Sequence, residues 1–221
     1  MDELFADSAL PTELMPGKFK FTSQQGRARR MQLLASAREL LCERSPEEVS
    51  FADVCEKAGI PRASAYHFFP NIQSVFVGLR LLHAHAMLHA LENLEAIPGE
   101  SWRDYFFRLV DTGAGIMRIE PAATKLIYGG LGGMLEAQQL GRELDARLAR
   151  LTLDGMATRF QLPDWPEREA IVAIAFTILD SVFRLSYRRH GEITPWMVEE
   201  AKRAAIAYLR SYLPEYLPAK L

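Results

Sequence analysis

Residues 50–71, SFADVCEKAGIPRASAYHFFPN, contain the pattern of two short helices joined by a tight glycine turn. Ser50 and Asp53 have the spacing of a capping box, in which the serine oxygen and the acid each accept an N–H group at a helix start. Gly59 permits the left-handed backbone that ends a helix, and Pro61 suits a first helical turn, where no N–H donor is needed. The segment therefore predicts a helix-turn-helix, which in DNA-binding proteins places its second helix in the major groove. Helical pairs that never touch DNA share this spacing, so the geometry alone leaves both interpretations open.

The rest of the chain has helical rather than strand patterning. A first helix is predicted over residues 27–44, because its apolar side chains recur on one stripe. A short helix over 62–69 follows the glycine turn, and Asn71 is expected to cap a long helix that reaches about residue 94. Further helices are expected at 101–118 and at 120–128, then after a glycine-rich connection at 129–133 up to about 160, and finally at 167–189 and at 195–213. This pattern predicts an all-α protein with short loops.

Positive charge is concentrated near the first of these helices. The chain has a net charge of −2, yet ten Lys and Arg and only six Asp and Glu lie between Lys18 and Arg80. Lys18, Lys20, Arg27, Arg29 and Arg30 form a run that contains no acid. Such a stripe would attract a phosphate backbone. The equal alternative is an ordinary solvated charge run.

The helix-turn-helix segment resembles the signature of the TetR family of transcriptional regulators. The matching features are the Ser50 cap, the turn at 58–60, the short polar start of the second helix at 62–64, and Tyr-x-x-Phe-Pro at 66–70. The resemblance covers about 50 of the 221 residues. One departure is Ile72, which stands where family members usually carry a phosphate-binding lysine, so that contact would be missing here.

The resemblance implies an all-α fold in which an N-terminal three-helix helix-turn-helix DNA-binding domain precedes a larger helical ligand-binding and dimerisation domain. We place the first domain at residues 22–76 and the second at 77–221, after an arm at 1–21 that is expected to be flexible. The implied function is that of a ligand-responsive repressor, binding palindromic operator DNA as a homodimer. The alternative is a helical small-molecule-binding protein or enzyme without DNA binding, although the sequence contains no nucleophile elbow, paired carboxylates or cofactor fingerprint.

Chemistry assigns roles within the DNA-binding domain. Arg62 and Ser64 are candidates for base-edge contacts, since arginine can bind guanine in two places. The full set of predicted DNA contacts is Lys20, Arg27, Ser50, Arg62, Ala63, Ser64, Tyr66 and His67. Phosphates would be contacted by Lys20, Arg27 and Ser50. Tyr66 and His67 would contact phosphates or thymine methyl groups. Tyr66 could instead brace the core, and His67 could be an ordinary surface residue. Val54, Ile60 and Phe69 are expected in the core.

The last two helices are the expected dimer interface. Residues 170–179 are apolar around nearly the whole helix, which should therefore be covered on both sides. The final helix carries a second apolar stripe at Val198, Ala201, Ala205, Tyr208, Leu209 and Tyr212. The family resemblance favours a four-helix contact between two subunits, and the alternative is the core of a monomer.

The resemblance also implies a cavity among the middle helices, filled by an apolar small-molecule effector that swings the long fourth helix. Candidate wall residues are Trp102, Tyr105, Phe106, Leu109, Met117, Leu126, Tyr128, Met134 and Phe176. Aromatic stripes at helical spacing more often belong to a core, and that alternative stays open for each. Asp180 could orient a polar group of a ligand, or it could pair with Arg184 one turn later, which is slightly favoured.

Other features argue against several classes of protein. The acidic N-terminus is unlike a secretory signal, the most apolar run of ten residues is too short for a bilayer, and two cysteines fit a reducing compartment. We therefore expect a cytoplasmic protein that is not an enzyme, with no membrane contact and no cofactor. His85 and His89 have a spacing that can bind a metal, but no third ligand accompanies them, so no metal is expected. Redox sensing by Cys42 and Cys55 stays open.

Overall fold

The computed structural model describes residues 24–129 and 135–220, with the side chains of 25–129 and 141–220. Nine α-helices lie within these ranges: α1 Gln24–Glu43, α2 Phe51–Lys57, α3 Arg62–Ala65, α4 Ile72–Glu92, α5 Trp102–Ile119, α6 Pro121–Tyr128, α7 Leu135–Arg159, α8 Arg168–His190 and α9 Pro195–Leu209. The only extended pairing among the described residues is an isolated bridge between Phe160 and Ala219. The predicted all-α class is confirmed.

Most helix boundaries follow the local signals of the sequence. Asn71 Oδ1, for example, accepts a hydrogen bond from the Ser74 N–H at 2.8 Å at the start of α4. Helix α3 is shorter than predicted, because it ends at Ala65 rather than near residue 69. The N–H groups of Phe68 and Phe69 both donate to the Ala65 carbonyl, which tightens the chain into a turn. The proline that follows also disfavours helical backbone in the residue before it.

The chain divides into two compact units. The first unit contains the described residues up to Ala86 together with 120–129 and 135–138, and the second contains 87–119 and 139–220. The sequence placed the end of the DNA-binding domain near residue 76, whereas the first unit continues along α4 to Ala86 and includes α6. Sequence order cannot reveal this membership, because α6 joins α1 through residues that are far apart in the chain.

The core of the first unit is built from the inward faces of α1 to α4 and from α6. Its buried side chains include Leu33, Leu34, Leu41, Leu79 and Leu126. Val54, Ile60 and Phe69 lie in this core, as predicted. Removing an aliphatic or aromatic side chain of this size from water contributes about 1.5–3 kcal/mol each, so this core is the main stabilising element of the helix-turn-helix.

The core of the second unit is dominated by large side chains of α5. Trp102, Tyr105, Phe106 and Leu109 are at most 2% exposed. Trp102 Nε1 donates to the Pro214 carbonyl at 3.0 Å, so the chain after α9 packs on the start of α5. The Lys220 N–H donates to the Arg159 carbonyl at 2.8 Å, which ties the same segment to the end of α7.

Two helices, α4 and α8, are long and apolar enough by composition to cross a membrane. Core helices of proteins that never enter a membrane meet the same two criteria. In α4, 67% of the most apolar window is buried inside the protein, compared with 33% in α8. Helix α4 therefore has the burial of a core helix, and α8 carries an apolar face that the described residues do not cover.

Candidate nucleic-acid interface

The start of α2 is held by reciprocal capping contacts. Ser50 Oγ accepts a hydrogen bond from the Asp53 N–H at 3.2 Å, and the Asp53 carboxylate accepts from the Ser50 N–H at 2.8 Å and hydroxyl at 2.7 Å. Hydrogen bonds from the Ser50 hydroxyl and N–H hold the pKa of the Asp53 carboxyl below its usual value. The predicted capping box is confirmed. Ser50, a predicted phosphate contact, is exposed but already bonded to Asp53.

The turn between α2 and α3 is fixed by its backbone and by one side chain of α1. Gly59 has a φ of 63°, a left-handed conformation that strains any residue with a Cβ. The Ile60 N–H donates to the Cys55 carbonyl at 3.0 Å. Gln32 of α1 donates from Nε2 to the Ala58 carbonyl at 2.7 Å. These contacts set the direction in which α3 leaves the turn.

One face of α3 and of the turn after it is open to solvent. Among the predicted DNA contacts in this segment, the exposed residues are Arg62, Ala63, Tyr66 and His67, and Ser64 is half-buried. The Tyr66 side chain is 55% exposed, and its ring centroid lies 4.9 Å from that of Phe51 in α2. Tyr66 therefore braces α2 and still presents much of its surface, so the two interpretations of this residue are compatible.

The cations of the first unit differ in whether an acid neutralises them. Lys57 pairs with Glu39 at 2.9 Å. Arg27, Arg29 and Arg62 are exposed, and none has a carboxylate within ion-pair distance in the part of the chain that the structure describes. Exposed guanidinium groups without an acid partner are suited to bind phosphate oxygens or the edge of guanine.

The predicted basic stripe is only partly exposed. Arg30 is 3% exposed, and burial lowers the pKa of its guanidinium. The residue lies on the inward side of α1, one turn before Leu33 and Leu34, so it must be removed from the stripe. Lys18 and Lys20 lie outside the described residues.

Sequence reasoning missed a buried polar cluster formed by α1, α4 and the residue that precedes α6. Arg38 binds the Glu120 carboxylate in two places, from Nε at 2.8 Å and from Nη2 at 2.5 Å, and Glu120 is 1% exposed. His83 Nε2 lies 3.6 Å from the same carboxylate. Burial lowers the pKa of His83 to about 4, against the opposing effect of Glu120. The imidazole is therefore neutral at pH 7.

A lysine of α6 completes the attachment of this helix to α1. Lys125 Nζ donates to the carbonyls of Leu41, Cys42 and Arg44 at 2.7, 3.2 and 3.1 Å. These carbonyls lie at the C-terminal end of α1, where helical partners are missing and the partial charge is negative. Nothing local in the sequence signals this cap, since its donor lies more than 80 residues from its acceptors.

The second unit contains an open cavity of about 410 Å³ between α4, α5 and α7. Of the predicted ligand-binding residues, Tyr105 lines this cavity. Trp102 and Phe106 are enclosed in the core, and the ring centroid of Phe176 lies 5.9 Å from that of Phe106. Asp180 pairs with Arg184 at 3.1 Å, which is the favoured of the two alternatives for this acid.

The remaining predicted ligand residues lie elsewhere. Leu126 belongs to the core of the first unit, and Tyr128 ends α6 in that unit. Met117 is half-buried near the end of α5, and Met134 lies outside the described residues. The apolar residues of a helical protein are thus distributed over two cores, which periodicity alone cannot separate.

The described residues contain no group of three or more His, Cys, Asp or Glu side chains that could hold a metal ion. Cys42 is exposed and Cys55 is buried, and both are free thiols. Burial raises the pKa of the Cys55 thiol. Cys55 therefore behaves as a small apolar residue of the core rather than as a reactive thiolate.

Two family models match the chain. The model described as "Bacterial regulatory proteins, tetR family" matches residues 33–79, which contain the helix-turn-helix. The model described as "Tetracyclin repressor-like, C-terminal domain" matches residues 100–213. The chain belongs to the TetR family of bacterial transcriptional regulators, a class of DNA-binding proteins that are generally not enzymes. No curated protein sequence matches the chain.

Solved structures share the fold. A TetR-family transcriptional regulator from Streptomyces coelicolor is 21% identical with a TM-score of 0.68, over 85% of this chain and 99% of its own. A TetR-family regulator from Pectobacterium atrosepticum is 20% identical with a TM-score of 0.67, over 89% and 100%. A structure titled "Flavonoid-responsive Regulator FrrA" is 17% identical with a TM-score of 0.55, over 86% and 99%. At these identities the likeness establishes the fold.

Proposed function

We propose that this protein is a ligand-responsive repressor that binds palindromic operator DNA as a homodimer in the bacterial cytoplasm. The observation that carries the proposal is the open face of α3, where Arg62 is exposed and has no carboxylate within ion-pair distance among the described residues. Gln32 of α1 braces the turn that precedes it. Membership of the family supports DNA binding, and the roles of the individual residues rest on their chemistry and exposure.

The face of α3 supplies the sequence-reading contacts. Arg62 and Ser64 bind base edges in the major groove, and Ala63 offers a methyl group to thymine. Tyr66 and His67, one turn further on, contact phosphates or thymine methyl groups. A single module makes few such contacts, so useful specificity requires two modules on a two-fold site.

Further phosphate contacts come from α1, from the start of α2 and from the segment before α1. Arg27 is exposed in the first turn of α1, and Lys20 and Ser50 complete the proposed set. Because Ile72 replaces the usual lysine, we assign to Arg29, also exposed, a share of the missing phosphate contact. Such contacts raise the affinity for every sequence alike and weaken as salt increases.

The homodimer is supported by the open apolar face of α8. Ile174 is 45% exposed, and the same face carries the partly exposed Ala173 and Ile178. The exposed Thr177 and Ser181 on this face donate their hydroxyl groups to carbonyls of their own helix. Continuous exposed apolar stripes mark protein interfaces, and a two-fold dimer covers the same stripe on both copies.

Only part of the predicted stripe on the last helix is available to a partner: Tyr212 is 43% exposed and Tyr208 is half-buried. Val198, Ala201, Ala205 and Leu209 are buried inside the second unit, so they cannot reach a second copy. The open side of α9 instead carries Trp196, which is 63% exposed. An apolar stripe can face a core or a partner, and only the packing of the neighbouring helices decides which.

Response to a ligand is supported by the cavity that Tyr105 lines, whose volume is within the range of small-molecule sites. The structural neighbour titled as flavonoid-responsive supports a response to a small molecule of some kind. A ligand that binds more tightly to the DNA-free conformation would release the operator, since it shifts the population towards that conformation.

The test is a binding selection from a random DNA library, followed by titration of the selected sequence at several salt concentrations. We expect a palindromic consensus bound in a salt-sensitive manner. Arg62→Ala should relax the consensus at one base pair per half-site, whereas Arg27→Ala should weaken all sequences evenly and reduce the salt slope. The proposal would be overturned if the protein enriched no sequence from the library, either without ligand or with small-molecule extracts added.

A further inference from the structure

Arg159 places a cation at the wall of the cavity. Its Nη1 donates to the Gly155 carbonyl at 2.9 Å and to Thr158 Oγ1 at 3.2 Å, and its Nη2 donates to the Leu94 carbonyl at 2.6 Å. Its Nε is buried and has no hydrogen-bond acceptor among the described residues. No carboxylate lies within ion-pair distance of Arg159 in the ranges that the structure describes. A partly buried positive charge held only by neutral groups is costly unless an anion approaches it.

Tyr105 stands beside this cation. The guanidinium of Arg159 lies 4.5 Å from the centroid of the Tyr105 ring. The Tyr105 hydroxyl lies so close to Gly155 that a Cβ there would overlap it. Burial raises the pKa of Tyr105, so the phenol stays protonated and can donate a hydrogen bond. This part of the cavity therefore offers donors and positive charge.

The remaining charged residues of the cavity strengthen its preference for a negatively charged ligand. Arg147 is half-buried and also lacks an ion-pair partner within the described part of the chain, whereas Arg150 pairs with Glu169 at 3.6 Å. The acids of the lining, Glu92 and Asp154, are exposed. Water and salt screen exposed charges, so these acids oppose a bound anion less than the sheltered Arg159 attracts it.

We propose that the ligand of this cavity is a small organic anion. Its acidic group lies against Arg159 and Tyr105, and its apolar body lies against Leu91 and Leu151, which also line the cavity. Charge-assisted hydrogen bonds to a guanidinium are about twice as strong as neutral ones. The inference rests on the proposed function only in treating this ligand as the effector.

Two fluorescent probes with the same aromatic body test the charge preference. 1-Anilinonaphthalene-8-sulfonate carries a sulfonate, and N-phenyl-1-naphthylamine is its neutral counterpart. We expect the full-length protein to bind the anionic probe about tenfold more tightly than the neutral one, as charge-assisted bonds predict. We expect Arg159→Gln and Arg147→Gln each to weaken the binding of the anionic probe several-fold and to leave the binding of the neutral probe unchanged. Arg203→Gln is the matched control, because its guanidinium pairs with Glu200 at 2.7 Å and does not line the cavity, and it should change the binding of neither probe.

Equal binding of the two probes, no binding of either, or equal weakening of both by Arg147→Gln would overturn the proposal. If Arg159→Gln fails to fold by circular dichroism, Arg147→Gln alone decides. The titrations contain no DNA. A protein that selects no operator but prefers the anionic probe would therefore contradict the proposed regulator and not the ligand class.

Discussion

The two compact units differ in where cations without a carboxylate partner among the described residues lie. In the first unit the buried carboxylate of Glu120 is bound by Arg38, and Lys125 donates to the carbonyls at the end of α1. The exposed Arg27, Arg29 and Arg62 have no carboxylate within ion-pair distance among the described residues. In the second unit Arg159 lines a cavity without a carboxylate partner among the described residues, and α8 leaves an apolar face open. Uncompensated charge and uncovered apolar surface are costly unless a partner covers them. The difference therefore indicates which surface of each unit binds a partner.

The open face of α8 gives the largest expected effect. Ile174→Glu would place a carboxylate inside the proposed dimer contact, where an unpaired buried charge costs several kcal/mol. We expect a monomer in sedimentation equilibrium and a loss of operator affinity of about a hundredfold or more. Ile97→Glu is the matched control, since Ile97 is 51% exposed and outside α8. If Ile174→Glu stays dimeric, this face of α8 is not the dimer contact, and the proposed difference between the two units fails here.

The buried cluster of the first unit should make stability depend on pH. Because the pKa of His83 falls from 6.5 to about 4 on folding, the unfolded chain binds the proton more readily, and stability is lost as the pH falls from 6.5 towards 4. The shift corresponds to about 3 kcal/mol between pH 7 and pH 4.

Urea unfolding at several pH values measures this effect. The wild-type protein should lose more stability towards pH 4 than His83→Gln, while His89→Gln, at an exposed position of the same helix, should follow the wild type. Parallel curves for the wild type and His83→Gln would show that His83 is not the group that responds.

Gly155 tests how tightly the cavity wall of the second unit is packed. A Cβ at this position would overlap the hydroxyl of buried Tyr105, so Gly155→Ala should lower the free energy of unfolding by about 1–3 kcal/mol. Gly115→Ala, at a helical position with open space around it, should instead raise it by about 0.5–1 kcal/mol. If both alanines stabilise the protein, Tyr105 moves freely and does not define the wall.

The smallest expected effects are equal in the two units. Helix caps at the starts of α2 and α9 are removed by Ser50→Ala and Thr194→Ala, respectively. Each variant should lower the free energy of unfolding, measured by chemical denaturation, by about 1 kcal/mol. Equal costs would mean that local capping acts alike in both units, so their difference arises from tertiary packing. If only one of the two substitutions lowers the free energy of unfolding, this interpretation is wrong.

Those local signals explain how far prediction from the sequence can go. The Ser50 cap, the Gly59 turn, the Asn71 cap and the core positions Val54, Ile60 and Phe69 all depend on residues a few positions apart, and the structure contains each of them. The end of α3 was placed too late, because the turn at Ala65 depends on two competing backbone donors rather than on side-chain pattern.

The sequence by itself determined the helix-turn-helix, the all-α class and the family, since capping, turn chemistry and helical period are encoded over short distances. Tertiary structure alone decided that α6 joins the first unit, that Arg30 is buried, and that the stripe at Val198 and Leu209 faces the core. It also decided that Tyr105, rather than Trp102 or Phe106, lines the cavity beside a cation. The physical reason is that an apolar or charged residue carries the same local pattern whichever neighbour it meets. That neighbour is set by packing between segments distant in the chain.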